Sequence, residues 1–427
     1  MYIKEVKIEN IRSISNFEME FEKPAGWHVI IGDNGSGKSS LVKTIALGLI
    51  GQNQIGGLRQ NWIKWLKKGQ KNGGINLDIN IQGNLNFKES VYPANHNLKV
   101  KLSLHSLEEN VLLEESYDYG KKPIPIHEFK GFSCGFGPFR RFNGGNESWN
   151  EMFTNNSFSR LASFLSLFDE SVALTQIEKW IKELDYEGLK FSQNSSNGDE
   201  DPRIVLNGLK ILINDSGFLP NNSKIFGLDG AIEIMDGTGN IHEISDLSDG
   251  FRSILSLTFE LIRQSLVYFS PSQVFGNMHS KQPHIPIKGV VLIDEIDAHL
   301  HPTWQTRIGQ WFTKYFPNIQ FIVTTHSPLI CRAAENGTIW RLAAPGSNEE
   351  SGEVTGIDRE RLIYGNVLDA FGTEVFGKSV SISKSSNEKL KRMGELNIKS
   401  LLGDKMSKKE ETELFDLKSV FPTERIQ

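Results

Sequence analysis

Cysteine is nearly absent from this chain of 427 residues: Cys134 and Cys331 stand far apart, lack metal-site spacing and offer no disulfide framework. Both are expected in the core. No apolar run reaches the ~20 residues that a membrane-spanning helix needs. Met1 to Arg12 alternate polar and apolar residues instead of forming a signal peptide, so a cytoplasmic protein without membrane contact is expected. Positive charge is not in excess, since 47 Lys and Arg face 52 Asp and Glu for a net charge of −5. Any nucleic-acid surface must then be a local patch. Sustained heptads and internal repeats are missing, which excludes a long coiled-coil arm. Residues 327–427 hold no histidine, and Asp358, Asp369, Asp404 and Asp416 never fall as D-x-D. A metal-dependent nuclease centre is therefore not built into that segment.

With 38% hydrophobic and 23% charged residues there is ample material for a core, and the length allows two or three domains. Tyr2 to Ile8 alternates at period two, and Gly26 to Ile31 ends in a buried-type apolar run. Alternation from Ile75 to about Leu113 predicts an antiparallel sheet, Phe158 to Tyr186 has helical spacing, and Ile232 to Met235 reads as a strand. Gly289 to Ile293 and Gln320 to Thr324 are continuous apolar runs, as in a parallel sheet covered on both faces. Asn194 to Asp201 and Ser270 to Lys288 read as insertions.

The chemistry sits in short motifs. Gly32-Asp33-Asn34-Gly35-Ser36-Gly37-Lys38-Ser39 fits G-x-x-x-x-G-K-[ST] between a strand ending at Ile31 and a helix beginning near Ser40. A random chain of this length matches that pattern with a probability on the order of one in a hundred. Glycines let the backbone amides from Asn34 to Ser40 converge on phosphates, and the helix N-terminus adds partial positive charge. Lys38 reaches the β- and γ-phosphates, Ser39 ligates Mg²⁺, and ATP with Mg²⁺ is the expected cofactor. Gly289-Val290-Val291-Leu292-Ile293-Asp294-Glu295 is a strand ending in two carboxylates, the Walker B arrangement. Asp294 holds Mg²⁺ through water, and Glu295 projects past it to polarise the attacking water. Asp297, in the following Ile296-Asp297-Ala298-His299-Leu300-His301-Pro302, is counted with the nucleotide-binding residues. His326 lies in Thr325-His326-Ser327-Pro328, just past a buried strand. A lone histidine there is usually structural, but its order after the Walker B pair makes it a catalytic candidate that senses the γ-phosphate.

Leu247-Ser248-Asp249-Gly250-Phe251 precedes the helical pattern Ile254, Leu255, Leu257, Phe259, Leu261. Ser248 and the amides near Gly250 can bind a phosphate at the helix N-terminus, and Ser and Asp there also cap the helix; both readings hold together.

Taken in order with Asn10-Ile11-Arg12-Ser13-Ile14 and Gly135-Phe136-Gly137-Pro138-Phe139-Arg140-Arg141, these motifs resemble the SMC/RecF/OLD branch of ABC-type ATPases. More narrowly, residues 1 to about 345 resemble the arm-less prokaryotic antiphage-defence ATPases, PtuA-like in Septu systems and retron-associated. The resemblance implies an α/β fold: an ABC-type P-loop ATPase head with an antiparallel β-subdomain, a helical signature lobe and a C-terminal helical extension. Residues 1–345 are expected to form the head, with the lobe inserted at about 146–270, and 346–427 the extension for assembly or partner binding. The signature phosphate then belongs to ATP on the opposite subunit, so the site is composite across a head-to-head dimer or higher oligomer, and a separate chain supplies the effector nuclease. The signature departs from the consensus at Asp249 and Phe251, where Gly and Gln are usual. Gln52, Gln54 and Gln60 are the candidates for a Q-loop glutamine. A RecF/SMC-like DNA-repair ATPase and a slow-turnover nucleotide-gated scaffold stay open as alternatives. A transporter subunit is disfavoured, because about 210 residues separate Lys38 from Ser248.

Two segments point to partners. Leu58 to Lys68 reads as a helix with Leu58, Trp62, Trp65 and Leu66 on one face, and Arg59, Lys64, Lys67, Lys68 and Lys71 have no acid among them. They form either a solvated face or a phosphate-backbone contact for nucleic acid. Beyond the head, Tyr364 to Phe376, Asn387 to Leu402 and Ser407 to Phe421 show helical spacing, with Ser379 to Ser386 as a polar linker. They dock on their own head or mediate protein contacts.

Overall fold

The computed structural model describes residues 1–81, 85–87, 90–92, 96–107, 110–118, 131–139, 159–172, 176–194, 200–219, 222–229, 231–347, 349–365, 384–401 and 406–420. The chain divides into two compact units, Met1–Tyr364 and Gly365–Gln427.

Continuous apolar runs make the centre of the first unit. Gly26–Ile31, Gly289–Ile293 and Ile319–Thr324 are buried at every position, the pattern of strands covered on both faces. They belong to a six-stranded sheet in the order Gly352–Glu353, Ile339–Arg341, Gly26–Ile31, Ile319–Thr324, Gly289–Ile293, Ser133–Phe136. All neighbours are parallel except the first pair. Trp27 anchors one face: its indole donates to the Ile330 carbonyl at 3.2 Å, and its rings lie 6.2 Å from Phe312 and 5.3 Å from Phe321.

The antiparallel sheet expected from Ile75 to about Leu113 forms and also takes in Tyr2–Ile11 and Ile14–Glu20, the latter not read as a strand; the order is Ile14–Glu20, Tyr2–Ile11, Asn72–Ile81, His96–Leu107, Asn110–Asp118. Its apolar face, including Ile75, Leu77 and Leu102, is buried. Helix Lys38–Ile50 packs on it through Gly48, where a β-carbon would stand 2.6 Å from Leu77 Cδ1. The two sheets share one apolar cluster, and a polar clip also links them. The buried Gln320 amide accepts from the Ile3 N–H at 2.7 Å and donates to the Ile3 carbonyl at 2.9 Å, imitating a strand neighbour.

The signature lobe carries helices Gln176–Asn194, Arg203–Asp215 and Asp249–Ser265 with a small sheet of Lys224–Gly227, Glu233–Met235 and Ile241–Glu243. Helix Asp249–Ser265 buries Ile254, Leu255, Leu257, Phe259 and Leu261, the face its spacing predicted. The expected start of the lobe at 146 lies outside the described residues. The Phe158–Tyr186 reading is corrected: two short helices, Ser159–Ala162 and Leu165–Phe168, precede Gln176–Asn194, because the Ser163 hydroxyl and the Gly135 amide engage the carbonyls that a continuous helix would use. Ser270–Lys288 is not wholly irregular, since Ser270 and Gln273 form a capping box that starts helix Pro271–Phe275.

The first unit runs past the expected boundary at 345. Gly352–Glu353 extends the parallel sheet antiparallel to Ile339–Arg341, and Arg359 on helix Gly356–Tyr364 donates to the Ala334 carbonyl at 2.9 Å. In the second unit, helices Lys384–Leu401 and Lys408–Val420 enclose their own cluster of Met393, Leu396, Leu414 and Leu417. Arg392 to Glu413 at 3.2 Å and Lys399 to Glu410 at 2.8 Å pair across them. The helix expected at Tyr364–Phe376 lies outside the described residues beyond 365. Among the described residues no helix is long and apolar enough to cross a membrane.

Since each unit closes its own apolar cluster, deletion of residues 365–427 is expected to leave the head cooperatively folded. A broad, non-cooperative thermal melt of the truncated chain would contradict this.

Candidate active site

The P-loop geometry follows from its glycines. Gly35 and Gly37 adopt φ of 80° and 105°, which residues with a β-carbon rarely accept. At Gly37 a β-carbon would also stand 2.4 Å from Ser13 Oγ. Helix Lys38–Ile50 starts there with no side-chain cap and no acid in its first turn, so its amides are left for an anion. Asn34 and Gly35 are exposed, Ser39 and Ser40 half-buried, and the Ser40 hydroxyl accepts from Arg12 Nη1 at 3.4 Å. Lys38 is buried and donates to the Gly32 and Asp33 carbonyls at 2.7 and 3.0 Å. Burial lowers its pKa, opposed by Asp294, Glu295, Asp297 and Asp33, so the lysine lies in the field of the Walker B acids. Among the described residues the buried Ser36 hydroxyl has no hydrogen-bond partner. An orphaned donor, an uncapped helix start and a lysine held on its own loop fit a bound phosphate chain. The Ser39 hydroxyl and the Asp294 carboxylate are hard oxygen donors of the kind that suits Mg²⁺.

The acids are fixed from the neighbouring strand. Asp294 is buried, and Thr324 donates to its Oδ1 at 2.6 Å; the same hydroxyl accepts the Glu295 N–H at 2.8 Å. Glu295 itself sits at φ 48°, a left-handed backbone costly for a residue with a β-carbon. Thr325 donates to Asp297 Oδ1 at 2.6 Å, and the His326 amide donates to the same carboxylate at 3.3 Å. Asp297, expected among the nucleotide contacts, thus spends its carboxylate on the turn that presents the exposed His326. The sequence reading missed both threonines, because a hydroxyl at a strand end has no signal until its neighbouring strand is known.

The signature residues lie in a different setting. Ser248 is exposed at the N-cap of Asp249–Ser265 but makes no capping bond with its side chain, so the capping reading holds for its backbone alone. Gly250 is pressed against the next motif: a β-carbon there would stand 2.8 Å from the His299 carbonyl. Ser248 to Phe251 line a pocket with His299, His301 and Trp304.

The three glutamines expected near a Q-loop go to different partners. Gln52 bonds Leu113 and Glu115, Gln54 accepts from Leu161 N–H, and Gln60 turns back to the Leu58 carbonyl. Arg140 and Arg141 lie outside the described residues. Leu58 to Lys68 is not one helix: two 3₁₀ turns, Gly56–Leu58 and Trp62–Trp65, flank Arg59 at φ 51°. Tertiary anchoring overrides helical spacing here, because Leu66 bridges Ile11, Trp65 is buried and Arg12 stacks 4.1 Å over it. Arg59, Lys64, Lys68 and Lys71 are exposed, whereas Lys67 donates to Ser15 Oγ. Cys134 and Cys331 are buried free thiols, their pKa values pushed up by burial.

Residues 28–332, which span the P-loop strand through the His326 turn, match the family described as "AAA domain, putative AbiEii toxin, Type IV TA system". The chain belongs to this family. It is 26% identical over 348 residues to "Septu protein PtuA" of Bacillus mycoides (strain KBAB4), covering 79% of this chain and 40% of the relative. It is 25% identical over 397 residues to "Retron Ec83 probable ATPase" of Escherichia coli, covering 80% and 71%. The chain therefore spans less than half the length of the first relative. Among solved structures, the SMC head domain from Thermotoga maritima is 15% identical, covering 83% of this chain and 99% of the other at a TM-score of 0.44. Family membership, the P-loop and the Walker B pair together make residues 28–332 an ATPase domain.

Substituting Gly250→Ala forces its β-carbon onto a backbone carbonyl, an overpacking cost of about 1–3 kcal/mol that falls on the signature turn. ATP binding at the P-loop is expected to survive and hydrolysis to drop, which an equilibrium binding assay and phosphate release read separately. Unchanged hydrolysis would show that the turn tolerates displacement.

Proposed function

We propose that this chain is the ATP-binding and hydrolysing subunit of a prokaryotic antiphage defence complex, cytoplasmic, dimerising over ATP and regulating a separate effector nuclease. The observation that carries the chemical part is the strand register, which brings the P-loop strand, Thr324 and the Walker B strand to one end of the sheet, where Thr324 holds Asp294. The defence part is supported by the likeness to the Septu and retron proteins.

Asn34 to Ser40 would cradle the phosphate chain with backbone amides, and Lys38 would leave the Gly32 and Asp33 carbonyls for phosphate oxygens. Ser39 and Asp294 would hold Mg²⁺, which when bound withdraws charge from the phosphate oxygens. Glu295 takes the proton of the attacking water, and His326 lies at the γ-phosphate end, its turn held by Asp297. Ser248 and Gly250, exposed or half-buried at an uncapped helix start, face the ATP of a second copy. The second unit serves assembly or effector binding, with Ile398 and Phe415 left 60% and 73% exposed on its helices. Deleting it would then change the oligomer mass or abolish effector co-purification; unchanged light scattering and pull-down would assign it a structural role.

Glu295→Gln is expected to keep ATP binding, accumulate as an ATP-bound dimer and lose hydrolysis by about 10²–10⁴-fold. Lys38→Ala fails at binding. Wild-type phosphate release from the Gln variant would remove Glu295 from the catalytic role.

The exposed Arg59, Lys64 and Lys68, with Lys67 beside them, support a nucleic-acid contact. Replacing Lys64, Lys67 and Lys68 by Ala is then expected to lower the slope of log K against log salt on duplex DNA by about 0.9 for each phosphate that is no longer neutralised. An unchanged slope identifies the patch as a solvated face.

A further inference from the structure

We propose that Thr324 is a positioning residue for hydrolysis, holding the Asp294 carboxylate and the Glu295 backbone through one hydroxyl. The inference rests on the assignment of Glu295 as the base and asks what holds it.

Thr324 ends the strand Ile319–Thr324, beside the Walker B strand, and is fully buried. The register places Val323 opposite Ile293, so Thr324 stands where the Walker B strand breaks into its turn. Three bonds then tie that turn to this one residue. Its hydroxyl donates to Asp294 Oδ1 at 2.6 Å and accepts the Glu295 N–H at 2.8 Å, while its carbonyl accepts the Ile296 N–H at 3.0 Å. A hydroxyl has one proton and two lone pairs, so it alone among small side chains of this shape can donate to a carboxylate and accept from an amide at once. Valine has the same shape and neither capacity.

The geometry of Glu295 makes the second bond matter. At φ 48° the residue lies in a left-handed conformation that ordinary side chains avoid, and a turn released from the hydroxyl relaxes toward negative φ. Relaxation swings the Glu295 side chain away from the direction its backbone now dictates. The first bond fixes the rotation of the Asp294 carboxylate, the acid proposed to hold Mg²⁺. Loss of the hydroxyl therefore misplaces the base and the metal-side acid together while leaving the P-loop untouched.

The test compares Thr324→Val and Thr324→Ser with wild type and with Glu295→Gln, all in the full chain with verified melting temperatures. Outer partners of metal-holding acids are typically worth 10–100-fold, so Thr324→Val is expected to lose about that factor in kcat with KM for ATP nearly unchanged. Binding of a fluorescent ATP analogue without metal should stay at wild type, and the Mg²⁺ concentration for half-maximal tight binding should rise by about tenfold. Thr324→Ser, which keeps the hydroxyl, restores both readouts. If Thr324→Val does not fold, Thr324→Cys, close in size and a weak donor, carries the same comparison. Wild-type kcat and Mg²⁺ response in the Val or Cys variant, beside an inactive Glu295→Gln, overturn the positioning role. A Ser variant as impaired as Val overturns it too, because packing is then the cause. A fully active Glu295→Gln instead removes the assignment on which the inference rests.

Discussion

Strand register in the parallel sheet places the chemistry. Ile30 pairs with Thr324 and Val323 with Ile293, so the P-loop, the two threonines and the Walker B acids leave the sheet at one edge, side by side. Hydrophobic burial maintains that register, because Gly26–Ile31, Ile319–Thr324 and Gly289–Ile293 bury every residue. In a strand, a slip of one residue turns each side chain to the opposite face. Here it would send Asp294 away from Thr324 and the P-loop helix away from the acids. The burial that stabilises the head and the geometry that serves nucleotide chemistry are one constraint.

That edge is electrostatically unbalanced. Asp33, Asp294, Glu295 and Asp297 act on Lys38, and Lys43, also partly buried, feels Asp294 and Glu295. Adding a polyanion alone to so many acids is unfavourable, and a divalent cation arriving with it would offset part of the added negative charge. The helix start without a side-chain cap adds partial positive charge at the same end of the sheet.

The P-loop and the Walker B pair were legible because their residues are contiguous: a glycine turn between strand and helix, or two acids ending an apolar run, carries its structural context with it. The parallel and antiparallel strands were legible for the same reason, each element having its own period. What escaped depends on neighbours distant in sequence. Thr324 and Thr325 reach acids some thirty positions earlier, and Gln320 reaches Ile3 across 317 positions. The basic segment misled because Trp62, Trp65 and Leu66 suit a helix, yet Ile11 and Arg12 claim Leu66 and Trp65 from outside. Local periodicity competes poorly with a tertiary anchor when the segment is short.

The Gln320 clip has a consequence for inheritance. A primary amide presents donor and acceptor at the spacing of a peptide group, and asparagine, one methylene shorter, cannot span to Ile3 from the same backbone. Glutamate keeps the reach but loses the donor. This polar link between the two sheets therefore requires a primary amide of that length. A substitution at Gln320 would thus disturb how the two layers are held together without altering any P-loop or Walker B residue.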